Sequence, residues 1–181
     1  MAFKKSEDSQ IQMSLLMTPE HSNFGGKVHG GYVLMLMDQI AFACASRHSG
    51  NYCVTASVNK VDFLSPINVG ELLHLKASVN FTGRTSMVIG LRVESENIQS
   101  GEIKHCNSSY FTMVAKDETG KSVPVPGLVI DSEDGVRRFA RSIIRREHGL
   151  SRAQEFGETD FHAEEYLQRI KNENVQISLN S

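Results

Sequence analysis

The sequence predicts an α+β fold, with one antiparallel sheet wrapped around a single long helix and a helical C-terminal extension behind it. Three observations predict it. The only polar side chains between Tyr32 and Ala45 are Asp38 and Gln39, so the helix drawn by this segment is buried almost all round. Four strand-like segments follow it with no convincing helix among them, and beyond Pro124-Val125-Pro126-Gly127 a charged tail takes on helical periodicity. A chain of 181 residues, 40% hydrophobic and 22% charged, is long enough for one domain with an appendage. The boundaries expected are 8–128 for the domain and 129–181 for the extension.

The first apolar stretch, Ile11 to Met17, reads as a strand stopped at Thr18-Pro19, and the loop from Glu20 to Lys27 leads to the glycine pair Gly30-Gly31. In the long helix, Leu34, Met37, Ala41, Cys44 and His48 recur at helical spacing. Val54 to Leu64 is the next strand, closed by Ser65-Pro66. Leu73, Leu75, Ala77, Val79 and Phe81 then alternate with polar residues in a period of two, and Gly83-Arg84-Thr85-Ser86 is a turn. Met87, Ile89, Leu91 and Val93 resume the alternation, and Asn107 to Ala115 supplies the last strand before the turn Asp117-Glu118-Thr119-Gly120. Short connections between these elements favour a meander wrapped on the helix. In the tail, Val136, Phe139, Ala140, Ile143 and Ile144 line one helical face, with Asp131 or Ser132 as its cap; Ala163, Tyr166, Leu167 and Ile170 line a second.

With 19 Lys+Arg against 21 Asp+Glu, the net charge of -2 provides no global field to recruit nucleic acid or an acidic membrane surface. The N-terminal residues lack the apolar core of a secretory signal and no apolar run reaches spanning length, so the expected location is cytoplasmic. Cys44, Cys53 and Cys106 are odd in number and widely spaced, which fits reduced structural thiols. No Cys-x-x-Cys or His-x-x-x-His pair is present, so neither a metal nor another cofactor is expected.

Asp38 is the first candidate for chemistry. A carboxylate in the middle of a helix buried on nearly every face costs several kcal/mol unless paired or put to use, and burial would raise its pKa towards that of a working base. The competing reading is a structural ion pair or loop cap. Gly30-Gly31 lets the backbone approach a ligand at a helix N-terminus, where the amides suit an oxyanion; a plain tight turn is the alternative.

The run Asn23-Phe24-Gly25-Gly26-Lys27-Val28-His29-Gly30-Gly31-Tyr32-Val33-Leu34-Met35-Leu36-Met37-Asp38 resembles the signature of hotdog acyl-CoA thioesterases of the acyl-CoA hydrolase family. That family includes small bacterial enzymes and the two-domain brain cytosolic acyl-CoA hydrolase. The similarity continues through Val54-Thr55-Ala56-Ser57-Val58, Asp62-Phe63, Val69-Gly70, Ser86-Met87 and Phe111-Thr112 to Pro124-Val125-Pro126, and the tail after residue 130 lies outside it. The resemblance implies a hotdog fold that pairs into dimers, commonly assembled into hexamers as a trimer of dimers. It also implies a catalytic carboxylate at Asp38, an associated asparagine at Asn23, and acyl-CoA as substrate, with CoA needing no separate cofactor. One departure is Gly25-Gly26, where single-domain relatives often carry Asn-Gly.

Gly30 and Asp38 lie eight residues apart, roughly 12 Å along a helix, so one chain cannot aim both at one reactive carbon. The expected site is therefore composite, with Asn23 and the glycine pair of one subunit facing Asp38 of its partner. Arg84 is the first candidate for the CoA phosphates, with Ser57, Thr85 and Ser86 as further substrate-binding residues; an arginine merely solvated in a turn is the alternative. The tail cluster Arg137, Arg138, Arg141, Arg145 and Arg146 is the second. His29 could contact substrate or serve as a packed, hydrogen-bonded residue, and His48 is placed to cap carbonyls. Two other readings compete: a hotdog dehydratase or hydratase using His29 with Asp38, and a module that binds acyl-CoA without turning it over.

Overall fold

A computed structural model describes residues 2–160, 162–170 and 173–178. Strand β1 (Phe3–Lys5) and a short 3-10 turn precede β2 (Ile11–Leu16), and a 20-residue helix, α1 (Gly30–Ser49), follows. Then come β3 (Tyr52–Val58), β4 (Leu72–Thr82), β5 (Ser86–Glu96) and β6 (Ile103–Lys116), a short β7 (Gly127–Val129), and helices α2 (Glu133–Glu158) and α3 (Ala163–Ile170). Strands β2-β4-β5-β6-β3 make one sheet in that order, with every pairing antiparallel. Helix α1 packs against all five strands, as the hotdog architecture requires.

The core lies between α1 and one face of the sheet. Val33, Met37, Ile40, Ala41 and Cys44 of the helix meet Leu73, Leu75 and Val79 of β4, Met87 and Ile89 of β5, and Phe111 and Met113 of β6. The alternation expected for β4 continues to Val79 and then fails at Phe81. A bulge at Asn80 slips the register, so that Phe81 pairs with Val88, outside the core. One inserted residue exchanges the two faces of a strand. Phe81 instead meets the ring of Phe139 on α2, with centroids 5.0 Å apart.

Strand β3 is shorter than expected. It ends at Val58, two residues past a bulge at Ala56 that shifts its register on β6. Residues beyond it are held by single bonds, such as Leu64 N to Cys106 O at 2.9 Å and Asn107 Nδ2 to Asp62 O at 2.7 Å. Sequence patterning also passed over β1 and β7, three residues each, which pair in parallel. This pairing fastens the end of α1: Lys4 Nζ donates to His48 O at 2.7 Å, and the buried His48 ring donates from Nε2 to Pro126 O at 3.0 Å. Burial pulls the His48 pKa down, and the ring addresses the Pro126 carbonyl rather than the carbonyls that end α1.

Ser132 starts α2, accepting from Gly135 N at 3.2 Å. The chain divides into two compact units within this helix, one ending at Ser142 and one beginning at Ile143. The second unit holds the rest of α2 and α3, whose range matches the second helical pattern of the tail.

Candidate functional site

The chemistry-bearing residues fall into two groups at different levels of α1. The first group surrounds its N-terminus. Asn23 sits in a tight loop in which its amide donates to Lys27 O at 2.7 Å, while its side-chain Oδ1 accepts from Gly25 N at 2.9 Å and Lys27 N at 3.2 Å. The side-chain carbonyl is consumed by the loop, so only the Nδ2 amide remains to serve a ligand. The paired glycines are now explained. Gly26 has a φ of 72°, and a Cβ on Gly25 would stand 3.3 Å from Asn23 Oδ1.

Behind this loop Lys27 Nζ reaches Asn68 Oδ1 at 2.6 Å, and Asn68 Nδ2 donates to Glu71 Oε1 at 2.5 Å. Glu71 is buried and also accepts from Ser95 and from Lys104 Nζ at 2.8 Å. Burial pushes its carboxyl up, but the hydrogen bonds from Asn68, Lys104 and Ser95 outweigh that and hold it at about 2.

Gly30 and Gly31 are the first two residues of α1, and neither has a positive φ. What they provide is room. A Cβ on Gly30 would lie 3.2 Å from the Phe63 ring, and one on Gly31 would lie 3.1 Å from His29 Nδ1. His29 is the N-cap of α1, with Nδ1 accepting from Gly31 N at 3.0 Å. Its ring proton therefore sits on Nε2. The Gly31 amide is thus occupied, and the next two amides, of Tyr32 and Val33, turn back to His29 O. Gly30 N–H is left as the donor at the helix tip.

The second group lies two turns further along. Asp38 is exposed in the single chain, contrary to the burial expected from the apolar run. The run is apolar all round because it has two apolar faces. One fills the core, and the other presents Leu34, Met35 and Phe42, at 36%, 47% and 38% exposure, with Asp38 among them. Asp38 Oδ1 accepts a 2.5 Å hydrogen bond from Thr55 Oγ1 on β3. Sequence reasoning singled out Ser57 and missed Thr55. Periodicity gave no signal for it, because Thr55 stands beside a β3 bulge that shows only in the strand register, a device common next to functional sites. Ser57 follows that bulge and is exposed on the same edge strand.

Register places the Arg84 turn at the Thr55 end of the sheet, since Thr55 pairs with Met113 and Met113 with Met87. Ser86 is one residue further, and two strand spacings put it about 10 Å from β3. Arg84 is exposed, and Thr85 O accepts from Ala115 N at 3.0 Å. The structure therefore groups Asp38, Thr55, Ser57 and the Arg84–Ser86 turn at one level, and Asn23, His29, Gly30 and Gly31 at another. Among the described residues no group of His, Cys, Asp or Glu could hold a metal ion. The three buried thiols are unpaired with one another, and burial pushes Cys44 up to about 12.

A profile of the thioesterase superfamily matches residues 25–102. The chain is 42% identical over 142 residues to protein VdlD of Helicobacter pylori, covering 78% of this chain and 81% of that one. It is 32% identical over 139 residues to the uncharacterized acyl-CoA thioester hydrolase YkhA of Bacillus subtilis, covering 77% and 81%. Among solved structures it resembles an apo-hexameric acyl-CoA thioesterase, with a TM-score of 0.82, 38% identity, and coverage of 84% and 98%. It also resembles the Staphylococcus aureus acyl-CoA hydrolase in complex with butyryl coenzyme A, at 0.79, 28% identity, and coverage of 92% and 99%. Variants of that hydrolase have also been solved in which an asparagine, an aspartate or a threonine is replaced by alanine. These three positions are spaced fifteen and seventeen residues apart, the spacing of Asn23, Asp38 and Thr55 here.

Proposed function

The chain belongs to the thioesterase superfamily, and we propose that it hydrolyses acyl-CoA to CoA and a carboxylic acid at a site shared between two subunits. The observation that carries this reading is the Asp38–Thr55 pair, a charged hydrogen-bonded unit in the centre of an apolar helix face that a second chain would cover. Gly30 and Asp38 of one chain stand roughly 12 Å apart along α1. An antiparallel partner helix brings the N-terminal group of one chain opposite the Asp38 group of the other. Strand β3 is the sheet edge on this side, and pairing of two such edges would continue the sheet across the dimer. Three dimers then make a hexamer, as the likeness to a hexameric thioesterase supports.

The thioester carbonyl oxygen takes the Gly30 N–H, with Asn23 Nδ2 as a second donor to that oxygen or to the attacking water. Asp38, oriented by Thr55, removes a proton from water as its oxygen bonds to the carbonyl carbon. The tetrahedral intermediate collapses with cleavage of the C–S bond, and the thiolate takes the proton back. In a variant of this route Asp38 attacks the carbonyl carbon directly, the C–S bond breaks to release the CoA thiolate, and water then hydrolyses the acyl anhydride to the free acid and Asp38, its proton passing to the thiolate. The Nε2–H of His29, Ser57, Thr85 and Ser86 supply hydrogen bonds to the substrate, and Arg84 supplies a cation for the CoA phosphates. No metal or added cofactor enters the chemistry.

The same reading has the protein act in the cytoplasm in fatty acid metabolism, with no nucleic acid or membrane partner. Release of free thiol from acetyl-CoA through palmitoyl-CoA tests the reading. Turnover that disappears in Asp38→Asn while CoA still binds supports it, and undiminished turnover in that variant excludes it.

A further inference from the structure

On the sheet face turned away from α1, a cleft of about 530 Å³ opens between the strands and the first turns of α2. Its volume lies in the range of small-molecule sites. All of its lining belongs to the unit that ends at Ser142. The floor is polar and shaped by the β4 bulge. Asn80, at the bulge, is 7% exposed and lies over Gly90, where any Cβ would stand 2.0 Å from Asn80 Nδ2. The bulge and the glycine together make room for this amide.

A directed chain of hydrogen bonds fixes which end of the amide faces the cleft. Arg138 donates to Ser78 Oγ at 3.3 Å, and Ser78 Oγ donates to Asn80 Oδ1 at 3.0 Å. The Asn80 carbonyl is occupied, so Nδ2 is the donor offered to a ligand. The walls carry Lys76 and Arg92 on one side and Arg137, Arg138 and Arg141 on the other. Lys76 and Arg92 share Glu94, at 2.7 and 2.6 Å, while Arg137 and Arg138 share Asp134. Four cations thus share two carboxylates, and no acidic residue lines the cleft itself. This concentration of positive charge stands out in a chain whose net charge is -2.

We propose that this cleft is a second ligand site, distinct from the thioester site, that binds a compact polyphosphate anion, with Asn80, Lys76, Arg92 and Arg137 as its donors. Guanidinium groups and a preset amide match phosphate oxygens in geometry as well as charge. Asp38 and Thr55 lie on the helix side of the same sheet, so the two sites of one chain are separated by the sheet itself.

The test is calorimetric titration of inorganic tripolyphosphate into the full-length protein at physiological salt, alone and with saturating CoA. The expected result is one saturable site per chain whose affinity is unchanged by CoA. Asn80→Asp, which keeps the acceptor for Ser78 but replaces the donor, and Arg92→Gln, on an exposed side chain, each weaken binding at least ~10-fold. Both variants keep wild-type thiol release in the absence of the anion. Absence of saturable binding, equal binding by both variants, or competition by CoA would each overturn the proposal.

Discussion

The Thr55 hydroxyl on β3 reaches Oδ1 of Asp38 on α1 at 2.5 Å, seventeen positions away in the chain. A β-branched residue on a bulged edge strand thereby fixes the rotamer of the carboxylate and leaves its second oxygen for a water or a carbonyl carbon.

Removing that hydroxyl in Thr55→Ala should lower kcat roughly 10- to 100-fold, the scale of a misaligned catalytic group, with little change in KM. Thr55→Ser should recover most of the loss. Steady-state thiol release measures both, and an unchanged kcat in the alanine variant would remove Thr55 from the site.

His29→Ala loses the N-cap of α1, at a cost of about 1 kcal/mol in stability. A larger rise in KM than this modest loss accounts for would show that Nε2–H also holds substrate. Chemical denaturation read beside KM separates the two roles.

Arg84→Gln should raise KM for acyl-CoA several-fold while leaving kcat and stability unchanged, because the side chain is exposed and contributes only a charged contact to the phosphates. The same KM for both proteins at low salt would assign Arg84 to solvent.

Glu71 gives the fold an acid limit. Its folded pKa of about 2 lies below the ordinary 4.5, so its contribution is fully present above about pH 4.5 and is lost as pH falls towards 2. Glu71→Gln removes the charge that Lys104 and Asn68 address and should lower stability by roughly 3 kcal/mol at neutral pH. The deficit should shrink below pH 4. Urea midpoints measured from pH 7 to pH 3 check this; a deficit constant across that range would contradict the assignment.

Strong, regular patterning was legible in the sequence. Gly83 to Thr85 separate β4 from β5, the turn Asp117 to Gly120 follows β6, and α1 starts at Gly30. Irregularities were not legible. The bulges at Asn80 and Ala56 leave no periodic trace, yet one redirects Phe81 to α2 and the other lies beside Thr55. Asp38 was singled out by its oddity, although its surroundings were misjudged. An apolar run does not record which of its side chains face the core, so sequence alone could not separate the buried face of α1 from the exposed one.

The most direct measurement mixes two inactive proteins, Asp38→Asn and Asn23→Ala, after dissociation and reassociation, and follows thiol release from acyl-CoA. If each site takes Asp38 from one subunit and Asn23 from the other, one site of every mixed dimer is intact and about a quarter of wild-type activity returns. If both residues serve a site within one chain, every site in the mixture carries a defect and no activity returns, which would contradict the shared site.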